Sequence, residues 1–399
     1  MNKKVVYLVI DGLADTPFNG KTPLSVAKKP NLDYLAKNGV CGQILTVKKK
    51  AWDDTARQSI THTATIGLLG YDVSKFPTKR GPMEAVGSDV PYKEGDLALR
   101  ANFATVDKEL KVLDRRAGRN SLGLDEIARY INEHVKLQSD FAFRRTYEHR
   151  GVLIIKQKLS DEITTNDPLK KGEKVKKITP LNKGGEISAR IVQEFVDQAH
   201  NVIEYHPKNS ERIDAKIPVA NYILVREAGN RLFALMPPFP VKFGLKKAVC
   251  ISENGATKAA CLLSGFQSET VPELPFKETL DFIFDNIEDS LAEYDFVYAH
   301  IKGTDEASHD GDFSKKKKMI EEIDKKMEIF KKDFEDILVV TTDHLTSTEK
   351  GEHVYGPVPV LVYGKGKKDS VDAFDEISVK KGMIKNFSGL QLLKFVMGR

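Results

Sequence analysis

Four apolar runs, each too short to cross a bilayer, constrain this chain most. They are Val5-Val-Tyr-Leu-Val-Ile10, Tyr294-Asp-Phe-Val-Tyr-Ala-His-Ile301, Asp336-Ile-Leu-Val-Val-Thr-Thr342 and Val358-Pro-Val-Leu-Val-Tyr363. Runs that are apolar along their length and rich in β-branched residues have no wet face. They read as central strands of a sheet covered on both sides. Pro30 to Gly39 reads as a helix, with proline near its start and glycine as its stop. Lys315 to Lys332 carries Ile320, Ile323, Met327 and Phe330 at helical spacing among lysines and glutamates. This alternation of strand and helix predicts a parallel α/β sheet flanked by helices.

A chain of 399 residues is long for one core, so two domains are expected. From Thr78 to Pro240 the sequence is richer in charge, with arginine clusters and a polar stretch from Asn166 to Val175. We read this as an insertion: residues 1–78 and 241–399 form one discontinuous α/β domain, and residues 79–240 a smaller α/β domain within it. The 62 basic residues face 57 acidic ones, an excess too small to argue for nucleic acid but suited to a small anionic substrate. Cys41, Cys250 and Cys261 are odd in number and lack metal-type spacing, which predicts free thiols in a reducing compartment. A cytoplasmic protein with no membrane partner is expected, and the oligomeric state stays open.

Three strand ends carry ligand chemistry: Asp11-Gly12, the segment from His300 to Gly311 with Asp305 and His309, and Asp343-His344 followed by His353. In an open α/β sheet, ligands gather beyond the carboxyl ends of the strands, so three strands can deliver these residues to one crevice. Asp305 and His309 are four apart, so one helical turn would point both at one ion. Singly, each has a blander reading: Asp11 as a turn residue, Asp305 and His309 as a surface pair, Asp343-His344 as the cap of a helix starting at Leu345. Together, Asp11, Asp305, His309, Asp343, His344 and His353 offer a carboxylate and imidazole mix that suits manganese, zinc or cobalt better than calcium. Paired ions are the usual device for displacement at phosphorus. Arg115, Arg116 and Arg119 form a second cluster, with Arg100 and Arg150 on either side in the sequence. Guanidinium forks match carboxylates and phosphates.

The motifs Val9-Ile-Asp-Gly-Leu-Ala-Asp15, Lys21-Thr-Pro-Leu24, Pro30-Asn-Leu-Asp33, Leu69-Gly-Tyr-Asp72, Arg80-Gly-Pro-Met-Glu-Ala-Val-Gly87, Asp114-Arg-Arg-Ala-Gly-Arg119, Pro357-Val-Pro359 and above all His300-Ile-Lys-Gly-Thr-Asp-Glu-Ala-Ser-His-Asp-Gly-Asp312 resemble the archaeal-type cofactor-independent phosphoglycerate mutases of the alkaline phosphatase superfamily. The resemblance runs in order over nearly the whole chain. It implies an alkaline-phosphatase-like sheet with an inserted domain. It also implies interconversion of 3-phosphoglycerate and 2-phosphoglycerate through a phosphoryl-enzyme. Two divalent ions would serve it, manganese first and zinc, cobalt or magnesium as alternatives, with no 2,3-bisphosphoglycerate. By the same resemblance Asp305, His309 and His353 hold one ion. Asp11, Asp343 and His344 hold the other beside the nucleophile.

The chain departs from the family where the nucleophile is expected. Counting back without gaps from Leu69-Gly-Tyr-Asp72, the family's Gly-Ser-Asp-Thr-Ala-His falls with its Gly on Ile60, its Ser on Thr61, its Asp on His62 and its His on Thr65. Thr61 keeps the hydroxyl and would be both nucleophile and metal ligand. Ser59 is the rival, and a helix N-cap is the plain structural reading of Thr61. Lys258, in Ser252-Glu-Asn-Gly-Ala-Thr-Lys258, matches a family lysine of the phosphatase domain that touches phosphate. Two other functions compete with the mutase: a phosphohydrolase on the same scaffold, and a paralogue weakened by its altered nucleophile motif.

Overall fold

The computed structural model describes residues 3–54, 60–76, 79–232, 236–331 and 333–398. The chain divides into two compact units, residues 1–77, 235–253 and 260–399 in one and residues 78–234 and 254–259 in the other.

The first unit is built on eight strands in the order Ile384–Ser388, Val40–Leu45, Val358–Tyr363, Ile337–Thr341, Val5–Ile10, Phe296–Ile301, Ala248–Ser252 and Gln267–Thr270. Val5–Ile10 lies at the centre with parallel neighbours on both sides and is buried along its whole length, as its unbroken apolar run requires. Its residues Val6, Leu8 and Ile10 join a core with Leu32 and Leu35 of the helix Pro30–Lys37, Leu280, Ile283 and Ile287 of Phe276–Glu293, and Ile320 and Ile323 of Phe313–Lys326. On the opposite face Tyr7 stacks on Phe296 and Tyr298, with ring centroids 5.8 and 5.9 Å apart.

The sheet is not wholly parallel as the alternation predicted. Val358–Tyr363 runs antiparallel to both its neighbours. The reason lies in the connection before it. Between Thr341 and Val358 the chain forms a hairpin of Leu345–Ser347 and Glu352–Val354 instead of a crossover helix, and a return without a crossover brings the next strand back antiparallel. The same hairpin overturns the reading of Asp343-His344 as a helix cap, because Leu345 opens a strand.

The second unit carries an antiparallel sheet around the long strand Asp96–Val106, which pairs with Arg150–Lys158, Tyr222–Gly229 and Val112–Asp114, while Phe141–Arg145 pairs with Arg150–Lys158. Helices Leu124–His134 and Glu186–Ile203 bury Ile127, Ile131, Val192 and Phe195 against Leu99, Phe103, Phe143 and Leu153. The helix Arg80–Val86 packs over the same sheet so closely that a Cβ on Gly81 would meet the Ala98 carbonyl at 2.1 Å. Among the described residues no helix is long and apolar enough to cross a membrane.

Candidate active site

The strands bring the expected carboxylates together by register. Val9 pairs with Thr341 and with His300, so Asp11 and Asp343 leave adjacent parallel strands at the same height. Gly12 donates its backbone N–H to Asp343 Oδ1 at 3.1 Å. Gly12 adopts a φ of +60°, and a Cβ there would meet Asp305 Cβ and Oδ1 at 2.8 Å, so only glycine lets the two segments close in. Asp305 and His309 lie on the one-turn helix Thr304–His309, as their spacing predicted.

Two groups of ligand atoms result. In the first, His309 Nε2 lies 3.1 Å from His353 Nε2, and Asp305 lies 3.3 Å from His309 and 3.5 Å from His353. His309 Nδ1 is 2.6 Å from the Gly351 carbonyl, which can only accept, so Nδ1 carries the proton and Nε2 of the neutral ring offers a lone pair. In the second, His344 Nε2 lies 3.2 Å from Asp11 Oδ1 and 3.1 Å from Asp343 Oδ2. These three atoms are buried, and none has a hydrogen-bond partner of proper geometry among the described residues. Buried polar atoms are normally satisfied, so three orphaned acceptor-type atoms converging on one point fit a cation.

The charges agree. Burial first, then the neighbouring Asp343 and Asp305, pushes the Asp11 carboxyl up. Burial opposes charge on Asp305 too, yet His309, His353 and His344 hold it well below the usual carboxylate range. Burial would lower the His309 imidazole, but Asp305 and the Gly351 carbonyl raise it to about 9. Such a cluster has to recruit protons unless a divalent ion takes their place.

The sequence reading missed His300 and Glu253. His300 is fully buried one residue before its strand ends, 4.0 Å from both Asp11 and Glu253, and Lys302 lies 3.6 Å from Glu253. Asp11, His300 and Asp343 form a further ligand triad. An imidazole inside an otherwise apolar run was the available signal.

Thr61 lies half-buried within the helix Ile60–Leu68, which overturns its reading as a helix N-cap; its carbonyl accepts the Thr65 hydroxyl at 2.9 Å. Ser59 falls outside the described residues. Lys258 groups with the second unit, where its buried ammonium donates to Asp89 at 2.5 Å and to Asn254 at 3.3 Å.

The arginines of the second unit form a centre of their own. Arg100 and Arg226 are direct cross-strand partners, and Arg150 pairs with Asn102 two residues along. Like charges placed opposite one another are destabilising, the more so when buried. Burial, then Arg226 and Arg80, pushes the Arg100 guanidinium well down. Glu84 is held at about 2: burial opposes its charge, but Arg80, Arg100 and Arg150 outweigh it. Burial and then Arg150, Arg100, Arg119 and Arg226 hold His149 well below its ordinary value, so it adds no charge of its own. Arg115 binds the buried Asp167 through two parallel bonds of 2.9 and 2.6 Å, which ties its fork into the fold. Arg116 is half-buried, with its backbone N–H on Asp114 at 2.7 Å. The loop bearing Arg116 and Arg119 is stapled from beneath by the buried Arg212, which donates to the carbonyls of Ala117, Asn120 and Leu122. Arg80 and Arg226 belong to the centre and were missed, because pairing between distant strands assembles it.

A largely parallel sheet with aspartates and histidines crowded beyond its strand ends defines the class first: an α/β enzyme working at the carboxyl edge of its sheet. Comparison with known proteins narrows it. Residues 36–209 match the family model of 2,3-bisphosphoglycerate-independent phosphoglycerate mutase. A protein of that name from Archaeoglobus fulgidus is 38% identical over 410 residues, covering 98% of this chain and 97% of its own. One from Methanosphaera stadtmanae is 36% identical over 411 residues, with 98% and 97% covered. The solved cofactor-independent phosphoglycerate mutase of Thermoplasma acidophilum aligns over 99% of both chains at 29% identity and a TM-score of 0.60. A solved Pyrococcus horikoshii structure aligns over 100% of this chain and 97% of its own at 26% identity and a TM-score of 0.76. The chain belongs to the 2,3-bisphosphoglycerate-independent phosphoglycerate mutase family, and phosphoglycerate mutase is its enzyme class.

Proposed function

We propose that the chain interconverts 3-phosphoglycerate and 2-phosphoglycerate through a phosphoryl-enzyme at a two-metal site. One ion would be held by Asp305, His309 and His353, the other by Asp11, Asp343 and His344 with the Thr61 hydroxyl. The observation that carries this reading is the convergence of Asp11 Oδ1, Asp343 Oδ2 and His344 Nε2, buried and without a hydrogen-bond partner of proper geometry among the described residues. Manganese fits the donor set first, with zinc, cobalt or magnesium as alternatives. Bound divalent ions would acidify the nucleophilic hydroxyl and neutralise phosphoryl charge.

The protein's own groups do the rest. The Thr61 oxygen attacks phosphorus, the bond from phosphorus to the substrate oxygen breaks, and the threonine's proton ends on that departing oxygen, giving phosphothreonine and glycerate. Glycerate then returns its other hydroxyl oxygen to the same phosphorus, which frees Thr61. Thr61 is supported by its hydroxyl, which stands where the serine of the family motif falls. Retaining glycerate between the two transfers needs a carboxylate-binding group. We assign this to the arginine centre of the second unit, with Arg100, Arg116, Arg119 and Arg150 as binding residues. The gathering of Arg80, Arg100, Arg150 and Arg226 about Glu84 and Glu227 supports the assignment. The substrate is then a free phosphoglycerate, and no 2,3-bisphosphoglycerate is required.

The test is to incubate the purified protein with manganese and 3-phosphoglycerate and measure 2-phosphoglycerate and free phosphate side by side. Product without phosphate supports the mutase; phosphate without product would instead establish the phosphohydrolase. In the same assay Arg116→Ala should raise free phosphate relative to 2-phosphoglycerate, because glycerate escapes and water takes its place; an unchanged ratio would remove Arg116 from the clamp. Manganese affinity should also depend on pH. His309, held at about 9 without an ion, must lose its proton to bind one. Affinity at that site should therefore rise about tenfold per pH unit up to pH 9 and level off above it, as titration calorimetry would show. A pH-independent affinity would exclude His309 as a ligand.

A further inference from the structure

We propose that Thr346 is a positioning residue that joins the two ion sites through one hydroxyl. The proposal rests on the two-ion reading above. Thr346 is fully buried, and its Oγ1 lies 2.7 Å from Asp305 Oδ1, in the first ligand group, and 3.0 Å from His344 Nδ1, in the second. Its strand-register partner is His353. A hydroxyl has one proton, and a carboxylate that is to hold a cation can only accept, so that proton goes to Asp305. The oxygen must then accept from His344, which fixes the imidazole proton on Nδ1. Nε2 is left with its lone pair aimed at Asp11 Oδ1 and Asp343 Oδ2. The opposite tautomer would place two lone pairs against each other at Nδ1 and a proton where the cation belongs.

Thr346 is itself held rigidly. Its backbone N–H donates to the Ala14 carbonyl at 3.0 Å, and its carbonyl accepts from the buried Lys316 ammonium at 3.3 Å. Lys316 in turn binds Asp15 at 2.9 Å, and Asp15 accepts the Thr348 backbone N–H at 3.1 Å. The hydroxyl is thus set by the segment after the central strand, the Phe313–Lys326 helix and the hairpin together. A single side chain then orients one ligand of each ion.

The test compares wild type, Thr346→Val and Thr346→Ser as full-length chains titrated with manganese, followed by calorimetry and by the electron paramagnetic resonance of the bound ions. Valine keeps the shape and loses the hydroxyl; serine keeps the hydroxyl. Thr346→Val should weaken both manganese steps by about tenfold or more and alter the resonance, and Thr346→Ser should restore both to within a few-fold of wild type. If valine does not fold in this position, Thr346→Ala carries the same comparison. Loss at one step only, loss at neither, or a serine variant as weak as the valine one would overturn the proposal. Wild type that binds a single ion would overturn the two-ion reading, and this proposal with it.

Discussion

Thr61→Ala should lose at least about 10⁴-fold in kcat for mutase turnover while taking up manganese at nearly the wild-type stoichiometry. The separation of the two readouts is what tests the role. Six other side chains are proposed to hold the ions, so removing one hydroxyl should weaken metal uptake only modestly. The proposed mechanism, however, routes the phosphoryl group through the Thr61 oxygen alone. Thr61→Ser should recover turnover, because it keeps the oxygen and removes only the methyl that crowds the attack. Rapid quench with labelled substrate should trap phosphothreonine in wild type and none in Thr61→Ala. If Thr61→Ala stays active, Thr61 is not the nucleophile and Ser59 takes its place in the argument.

Asp343→Asn should lower both turnover and the stability of the metal-free fold, but to different extents. Turnover should fall by at least about 10²–10³-fold, since one anionic ligand is lost where charge must be compensated. The metal-free protein should melt modestly lower than wild type at neutral pH: burial opposes charge on Asp343, yet His344 and His300 hold its carboxyl below the ordinary value, so the charge stabilises the fold and the loss should vanish as acid protonates the wild-type carboxyl. The loss is limited because Asp343 also pushes the Asp11 carboxyl up, and an asparagine Oδ1 can keep the bonds from the Gly12 and His344 N–H groups. Thermal melts with and without manganese check this. A metal-free variant that melts higher than wild type at neutral pH would mean that carboxylate repulsion outweighs the pairing of Asp343 with His344 and His300.

The grouping of the proposed ligands was legible in the sequence because they sit where local rules operate. Asp11 and Asp343 follow apolar strands directly, and Asp305 and His309 share one turn of helix. The order of the strands, and so the meeting of Asp11 with Asp343, is non-local, yet parallel pairing of buried strands leaves few alternatives. What escaped depends on partners distant in sequence. Nothing local marks Thr346, since threonine in a short strand is ordinary. Arg226 becomes significant only opposite Arg100, more than a hundred residues earlier in the chain. The reversed strand Val358–Tyr363 followed from a hairpin whose residues are polar and unremarkable in composition. The bond from Arg115 to Asp167 was hidden because Asp167 lies in a polar stretch that read only as part of the insertion.

The like-charged pair at the heart of the second unit has a further consequence. Arg100 and Arg226 face each other across the ladder, and Glu227, 3.7 Å from the first and 3.6 Å from the second, with Asp167 at 3.5 Å from Arg226, offsets part of their repulsion; an anion bound beside them would offset more. By linkage, whatever relieves that repulsion is also a folding ligand of the unit. With phosphoglycerate as that anion, as proposed above, substrate concentration would set not only how fast such a protein turns over but how long it survives.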